Sequence, residues 1–187
     1  MLPRRRVLAA LTVLLAAGCA GPGEDLPMLP APNIADYRLG AGDQVRIITY
    51  GEEQLTGEFR VNDAGAIALP LVGTVQAAGL TTAGLEKSVA AALRRAQLYR
   101  DPSVTAEITA YRPIYVLGEV NKPGQYPYQP GMTVVTAVAV AGGFTYRAIE
   151  DYAGIVRTTG KTPVEGRATR SAYVQPGDAI TIYERRF

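Results

Sequence analysis

The sequence predicts an α+β fold in which short strands dominate and only two helices form. Apolar and polar residues alternate over short runs, as at residues 45–47 and 104–108, and this period of two is typical of half-buried strands. The 20 glycines and 13 prolines supply the turns that such strands need. Helical spacing of apolar residues is confined to one long segment, residues 82–99, and one short segment, residues 134–141.

The long segment is expected to form an amphipathic helix with Leu85 and Val89 on its buried face. Thr81 or Thr82 can cap its N-terminus, and Pro102 ends the helical pattern.

Two further elements carry specific expectations. Apolar alternation continues from residue 67 to residue 72, which predicts one strand that passes through Pro70 at an edge or a bulge. The short helical segment, 134–141, follows a capping threonine, Thr133, and is apolar on nearly every side. We therefore expect that helix to be well buried.

Composition and charge exclude several classes of function. The net charge of +2 includes Arg4, Arg5 and Arg6, and without them the 19 basic residues become 16 against 17 acidic residues. No basic stripe remains, so nucleic acid is not expected as a partner. With one cysteine and no histidine, the chain has neither an internal disulfide nor a Cys–His metal site, and histidine-based catalysis is excluded.

Residues 1–18 have the pattern of a bacterial lipoprotein signal peptide. Three arginines precede an apolar run at residues 7–17, which is shorter than the roughly 20 residues that a spanning helix needs. The sequence LAAGC at residues 15–19 resembles a lipobox, with Ala16 where leucine is usual. This resemblance implies that Cys19 carries acyl chains such as palmitate. The alternative is an ordinary secretory signal cleaved near Ala17 or Ala20.

The remaining chain divides into a tether and two domains. Residues 19–34 are rich in proline and glycine and are expected to form an extended tether. Two β-rich domains follow, at residues 35–110 and 111–187.

One short sequence pattern occurs in both domains. LxxGDxVxI at residues 39–47 matches VxxGDxIxI at residues 174–182, so each is a Gly-Asp turn that begins an alternating strand. Asp43 and Asp178 suggest a pair of carboxylates. However, aspartate in such a turn commonly bonds its own backbone, and this is the interpretation we adopt.

The motifs in this order resemble a known pair of domains. The stretches that resemble a polysaccharide export domain are residues 37–47, VNDxGxIxLPLVG at 61–73, GLT at 79–81 and DPxV at 101–104. The stretches that resemble an SLBB domain are VLGEVxxPGxY at 116–126, AGG at 141–143 and PGD at 176–178. The chain is therefore similar to the Wza-type outer-membrane export lipoproteins of capsule and exopolysaccharide systems.

This resemblance implies a β-rich polysaccharide export domain followed by a β-grasp-like SLBB domain. It also implies a homo-oligomeric ring around a hydrated conduit for the exported polysaccharide. The expected ring is anchored by lipid in the outer membrane and faces the periplasm. Ala20 follows Cys19 where an aspartate would resemble an inner-membrane retention signal, so the outer membrane is favoured. The ring's expected partners are further copies of the chain and an inner-membrane polysaccharide co-polymerase. No cofactor, metal or catalytic residue is expected.

Larger members of the family carry a second SLBB domain and a C-terminal helix that crosses the outer membrane. No apolar segment long enough for such a helix follows Cys19 in this sequence. We expect a short form that depends on a separate outer-membrane pore protein.

A second hypothesis is a monomeric periplasmic lipoprotein that binds a sugar or another small ligand. Tyr111, Tyr115, Tyr126 and Tyr128 would then stack on sugar rings, although such tyrosines more often pack as half-buried strand residues.

A third hypothesis is an enzyme that acts on cell-wall polysaccharide. It would need two facing carboxylates. Glu52, Glu53, Glu58 and Asp63 cluster in the sequence, but their pattern is that of a polar loop.

Overall fold

A computed structural model describes residues 21–31, 37–159 and 162–186. The predicted signal peptide and the predicted lipid-attachment residue, Cys19, lie outside this part of the chain. The described residues form ten strands and two α-helices, which confirms the α+β prediction.

The N-terminal half contains two small sheets and one helix. Its elements are β1 (Gln44–Thr49), β2 (Gly57–Arg60), β3 (Ala66–Leu69), β4 (Gly73–Gln76), α1 (Thr82–Arg95) and β5 (Val104–Ala110), with a 3-10 turn at Glu53–Leu55. Strands β2, β1 and β5 form one antiparallel sheet in that order, and β3 and β4 form a hairpin. Their inward side chains and the apolar face of α1 share one core.

Helix α1 confirms the predicted apolar face and the N-terminal cap. Leu85 and Val89 are fully buried, and the Thr81 hydroxyl accepts a hydrogen bond from the Gly84 amide at 3.2 Å. The expected end near residue 99 is wrong by one turn. Gln97 adopts a left-handed conformation, and the Leu98 amide donates back to the carbonyl of a residue five positions earlier, which closes the helix at Arg95.

The predicted strand through Pro70 is a hairpin. β3 ends before Pro70, and the Val72 amide donates to the Pro70 carbonyl at 2.8 Å across Leu71. Leu71 has a φ of +65°, which costs a branched L-residue roughly 1–2 kcal/mol. Because proline has no amide hydrogen for a ladder bond, the chain reverses here and does not continue as a strand.

The C-terminal half forms one mixed sheet with a helix on one face. Its elements are β6 (Ile114–Gly118), β7 (Gly124–Tyr126), α2 (Val134–Val140), β8 (Tyr152–Thr159), β9 (Thr162–Thr169) and β10 (Ala179–Ile182). The strand order is β7-β6-β10-β8-β9, with β10 parallel to β6 and antiparallel to β8. A second core lies between this sheet and α2.

Helix α2 is buried on one face only. Thr133 caps it through a reciprocal pair of hydrogen bonds with Thr136, and Val134, Ala137 and Val138 are buried. The prediction that the whole helix is well buried is wrong, because Val140 is about half exposed. The sheet covers one side of this helix, and within the described residues nothing packs over the other.

Residues 21–31, which we call the N-terminal strap, lie against the C-terminal sheet. The Arg167 amide donates to the Pro27 carbonyl, and the Leu29 amide donates to the Arg167 carbonyl, so the strap pairs with the outer edge of β9. Leu29 also packs against the second core. The predicted extended tether did not anticipate these contacts.

The conformation of Leu71 gives a stability prediction. We expect Leu71→Gly to raise the free energy of unfolding by about 0.5–1 kcal/mol, because glycine relieves the positive φ but is more flexible when unfolded. Urea unfolding of Leu71→Gly and of Leu98→Gly, a partly exposed leucine with no positive φ, measures the difference. A loss of stability in Leu71→Gly as large as that in Leu98→Gly would contradict this assignment.

Candidate functional site

The first Gly-Asp turn buries a carboxylate at the boundary between the two halves. Asp43 is fully buried and its Oδ2 accepts hydrogen bonds from the Gly40 amide at 2.8 Å and from the Tyr37 hydroxyl at 2.7 Å. Its Oδ1 accepts the backbone amide of Arg112 at 2.8 Å. A buried carboxylate without such donors would cost several kcal/mol, so these contacts fix the turn in place.

Arg112 connects this turn to the second one. Its guanidinium lies 3.7 Å from Asp43 Oδ2, and its Nε donates to the Pro176 carbonyl at 2.9 Å. A Cβ on Gly177 would lie 2.8 Å from that Nε, and a Cβ on Gly40 would collide with the guanidinium. The side chain therefore requires glycine in both turns, and it holds them on either side of itself.

Three tyrosines complete this domain junction. The Tyr37 and Tyr111 rings are 5.1 Å apart, and the Tyr111 and Tyr128 rings are 5.3 Å apart, both edge to face. Burial, followed by the hydrogen bond to Asp43, raises the pKa of Tyr37 well above its ordinary value. Burial also raises the pKa of Tyr128. We use the name domain junction for Tyr37, Asp43, Tyr111, Arg112, Tyr128 and residues 176–177.

The second Gly-Asp turn has the same backbone bond but a different arginine. Asp178 Oδ2 accepts the Gln175 amide at 2.7 Å, as Asp43 accepts that of the residue three positions before it. Arg157 then binds Asp178 with two side-chain bonds of 2.9 and 2.7 Å, and both groups are buried. The interpretation of these aspartates as turn residues is confirmed, but the sequence analysis missed both arginine partners.

The structure separates the tyrosines that were predicted to contact sugar. Tyr115 is 42% exposed on the face of β6 opposite the second core. Tyr126 pairs with Ile114 on the core side, and its hydroxyl donates to the Lys122 carbonyl at 2.5 Å. Tyr128 lies in the domain junction with Tyr111. The three candidates do not share one stacking platform, and sugar contact at Tyr115 stays a prediction.

Of the four carboxylates considered for an enzyme, Glu52 and Glu58 have other contacts, and Glu53 and Asp63 are exposed. Glu58 forms an exposed ion pair with Arg46 at 3.2 Å. Glu52 lies beside the Tyr99 hydroxyl, whose pKa it raises through a hydrogen bond. Asp63 is exposed in the turn after β2. Among the residues that the structure describes, no cluster of three metal-ligating side chains is found.

None of the helices in the described ranges combines the length and the apolar character needed to cross a bilayer.

The described part of the chain thus consists of a β-rich unit with one α-helix, joined at the domain junction to a mixed sheet that carries a second helix. A model of the polysaccharide biosynthesis/export protein family matches residues 31–109, and an SLBB domain model matches residues 113–166. Together they cover most of the chain, so it belongs to the polysaccharide export family, and the predicted Wza-type resemblance is confirmed. Strand β10 lies beyond the matched SLBB residues but in the middle of the same sheet.

Curated relatives agree with this family. The chain is 34% identical over 148 residues to the exopolysaccharide production protein ExoF of Rhizobium meliloti, covering 73% of this chain and 32% of the relative. It is 31% identical over 133 residues to the EPS I polysaccharide export outer membrane protein EpsA of Ralstonia solanacearum, covering 57% and 35%. It is 30% identical over 111 residues to the polysialic acid transport protein KpsD of Escherichia coli, covering 58% and 20%.

The matched part of the chain spans about a third or less of the length of these relatives. Their names describe production, export and transport, and none names an enzymatic reaction.

The domain junction gives a prediction about cooperative unfolding. We expect Arg112→Ala to cost roughly 1.5–3 kcal/mol, because it removes the cation beside the buried Asp43 carboxylate and the bond to the Pro176 carbonyl, while the backbone amide of residue 112 still bonds Asp43. Calorimetry should then show two separate transitions for Arg112→Ala and a single transition for the parent protein. Arg46→Ala removes an exposed arginine with two carboxylate partners and should cost about 1 kcal/mol or less. If both variants lose the same unfolding free energy and each still unfolds in one transition, Arg112 does not couple the two domains.

The pKa of Tyr37 gives a pH dependence. Because the folded state raises this pKa above 10.0, the hydroxyl contributes its stability fully below that pH and loses it as the pH rises further. We expect the urea midpoint to fall as the pH passes about 10, and to fall less steeply in Tyr37→Phe. Identical slopes for the two proteins would show that Tyr37 is not the responsible group.

Proposed function

We propose that the protein is an outer-membrane-anchored, periplasm-facing ring component of an exopolysaccharide or capsule export machine. Acylated Cys19 holds it in the membrane, and identical copies close around a conduit for the polymer. The observation that carries this proposal is the domain junction, which joins the export domain and the SLBB domain through Asp43 and Arg112.

A ring of this kind needs rigid subunits. Each copy must present two different complementary surfaces, and closure depends on a constant angle between them. A flexible hinge between the domains would spread that angle over many values. The part-buried contacts of Arg112 and the three packed tyrosines restrict this freedom, so the two domains behave as one building block.

The proposed partners follow from the same assembly. An inner-membrane polysaccharide co-polymerase would meet the ring from the periplasmic side, and a separate outer-membrane pore protein would complete the path. The exported polysaccharide needs a wide polar passage and no tight binding site. The relatives named for export and transport support this proposal, as does the separation of the candidate sugar-contacting tyrosines.

Anchoring and assembly are tested together. We expect mature protein extracted in mild detergent to carry acyl mass on Cys19 and to form one discrete high-order oligomer by native mass spectrometry. Cys19→Ser should remain in the soluble periplasmic fraction and should reduce secreted polysaccharide several-fold.

An acylated protein that remains monomeric at high concentration would instead support the ligand-binding hypothesis. Unchanged secretion in a strain that lacks the gene would exclude a role in export.

A further inference from the structure

The N-terminal strap fixes where the lipid anchor leaves the folded protein. Gly23 lies against the Tyr183 ring, and any side chain at position 23 would collide with that ring. The Tyr152 hydroxyl donates to the Pro22 carbonyl at 3.1 Å, and the Arg167 guanidinium lies 5.6 Å from the Tyr152 ring centre. Together with the pairing to β9, these contacts hold the strap from Gly21 to Leu29.

The strap shortens the connection to the membrane. A free chain from Cys19 to residue 34 could extend about 50 Å, at about 3.5 Å per residue. With Gly21 held on the sheet, only two peptide steps separate it from Cys19, or about 7 Å. If Cys19 is acylated, the part of the SLBB domain beside Gly21 must therefore lie at the membrane surface.

That part of the domain is the end of the sheet away from the domain junction. Tyr183 directly follows β10, and the Ile149 amide donates to the Tyr183 carbonyl. The loop formed by residues 144–148 is attached to the same end, because the Thr145 amide donates to the Glu119 carbonyl and the Arg185 amide donates to the Arg147 carbonyl. The domain junction lies at the other ends of β6 and β10, beside Ile114 and Asp178.

The 144–148 loop has side chains suited to a lipid surface. Tyr146 is 88% exposed. Tyrosine favours the membrane interface, where its ring meets apolar groups and its hydroxyl stays in water. Beside it, Arg147 pairs with Glu184 and Arg185 pairs with Glu150. The apolar stems of the two arginines can therefore lie against lipid while the pairs keep the local net charge small.

We propose that the 144–148 loop of the SLBB domain rests on the headgroup layer of the membrane that holds the acyl anchor, with Tyr146 as its contact. This inference rests on the proposed acylation of Cys19. It specifies an orientation, in which the strap holds the SLBB domain against the lipid and the export domain points away from it.

The chain allows a clean test of this orientation. Because Cys19 is the single cysteine and acylation consumes its thiol, Tyr146→Cys introduces one free thiol for a fluorescent probe. Tyr50→Cys is the matched control, since Tyr50 is 87% exposed and follows the end of β1 that lies away from the domain junction. The acylated proteins are placed in vesicles of phosphatidylethanolamine and phosphatidylglycerol that contain a headgroup-attached quencher.

We expect quenching at position 146 to exceed that at position 50 several-fold. Equal quenching, or stronger quenching at position 50, in acylated protein that floats with the vesicles would overturn the orientation while leaving the anchor intact. Protein that lacks acyl mass and does not float would overturn both the anchor and the orientation. An aqueous quencher gives a further check. If it reaches the 146 probe as poorly in lipid-free detergent oligomers as in vesicles, the contact is a neighbouring copy and the proposal is overturned.

A second variant tests the strap itself. Gly23→Ala places a methyl group against the Tyr183 ring, whereas Gly51→Ala has the same φ of +79° and no atom within 4 Å of the new Cβ. With the probe at position 146, Gly23→Ala should reduce quenching several-fold and Gly51→Ala should leave it unchanged, both with full acylation. Equal quenching in the two variants would show that the strap does not hold the domain at the membrane.

Discussion

The buried carboxylate of Asp43 is the constraint on which the arrangement of the two domains depends. Its donors come from the export domain, through the Gly40 amide and Tyr37, and from the segment between the two matched domains, through the Arg112 amide. Separating the domains would remove one of these donors and leave the Asp43 carboxylate with an incomplete set of hydrogen bonds. The relative position of the domains is therefore set by hydrogen-bond geometry as well as by apolar contact.

Much of the local structure could be predicted, because short-range rules decide it. The apolar face of α1, the cap at Thr81 and the echo of the two Gly-Asp turns depend on residues within a few positions of one another. Alternation of apolar residues also located β1, β5 and β10. The failures occurred where a single residue overrode the pattern, as Pro70 did in turning one expected strand into a hairpin.

The site was harder to predict because its contacts join residues far apart in the chain. Arg112 continues the inward series of β5 and β6, and Arg157 continues that of Ile155, so each stands where an apolar residue would be expected. An arginine at an inward position of a strand indicates a buried acid partner. The sequence contained this signal, but it did not show which aspartate each arginine would bind. Pairing of the N-terminal strap with β9 had no comparable signal, since backbone bonds depend little on side-chain identity.

The strand order of the SLBB sheet has a consequence for folding during synthesis. The central strand, β10, is the last of the sheet to leave the ribosome, and it must insert between β6, which lies more than sixty residues earlier, and β8. Until it arrives, the other strands form two separate hairpins without a common core. A chain of this topology can therefore complete its second core only after residues 179–182 have been synthesised, so that core forms late and through contacts between distant residues.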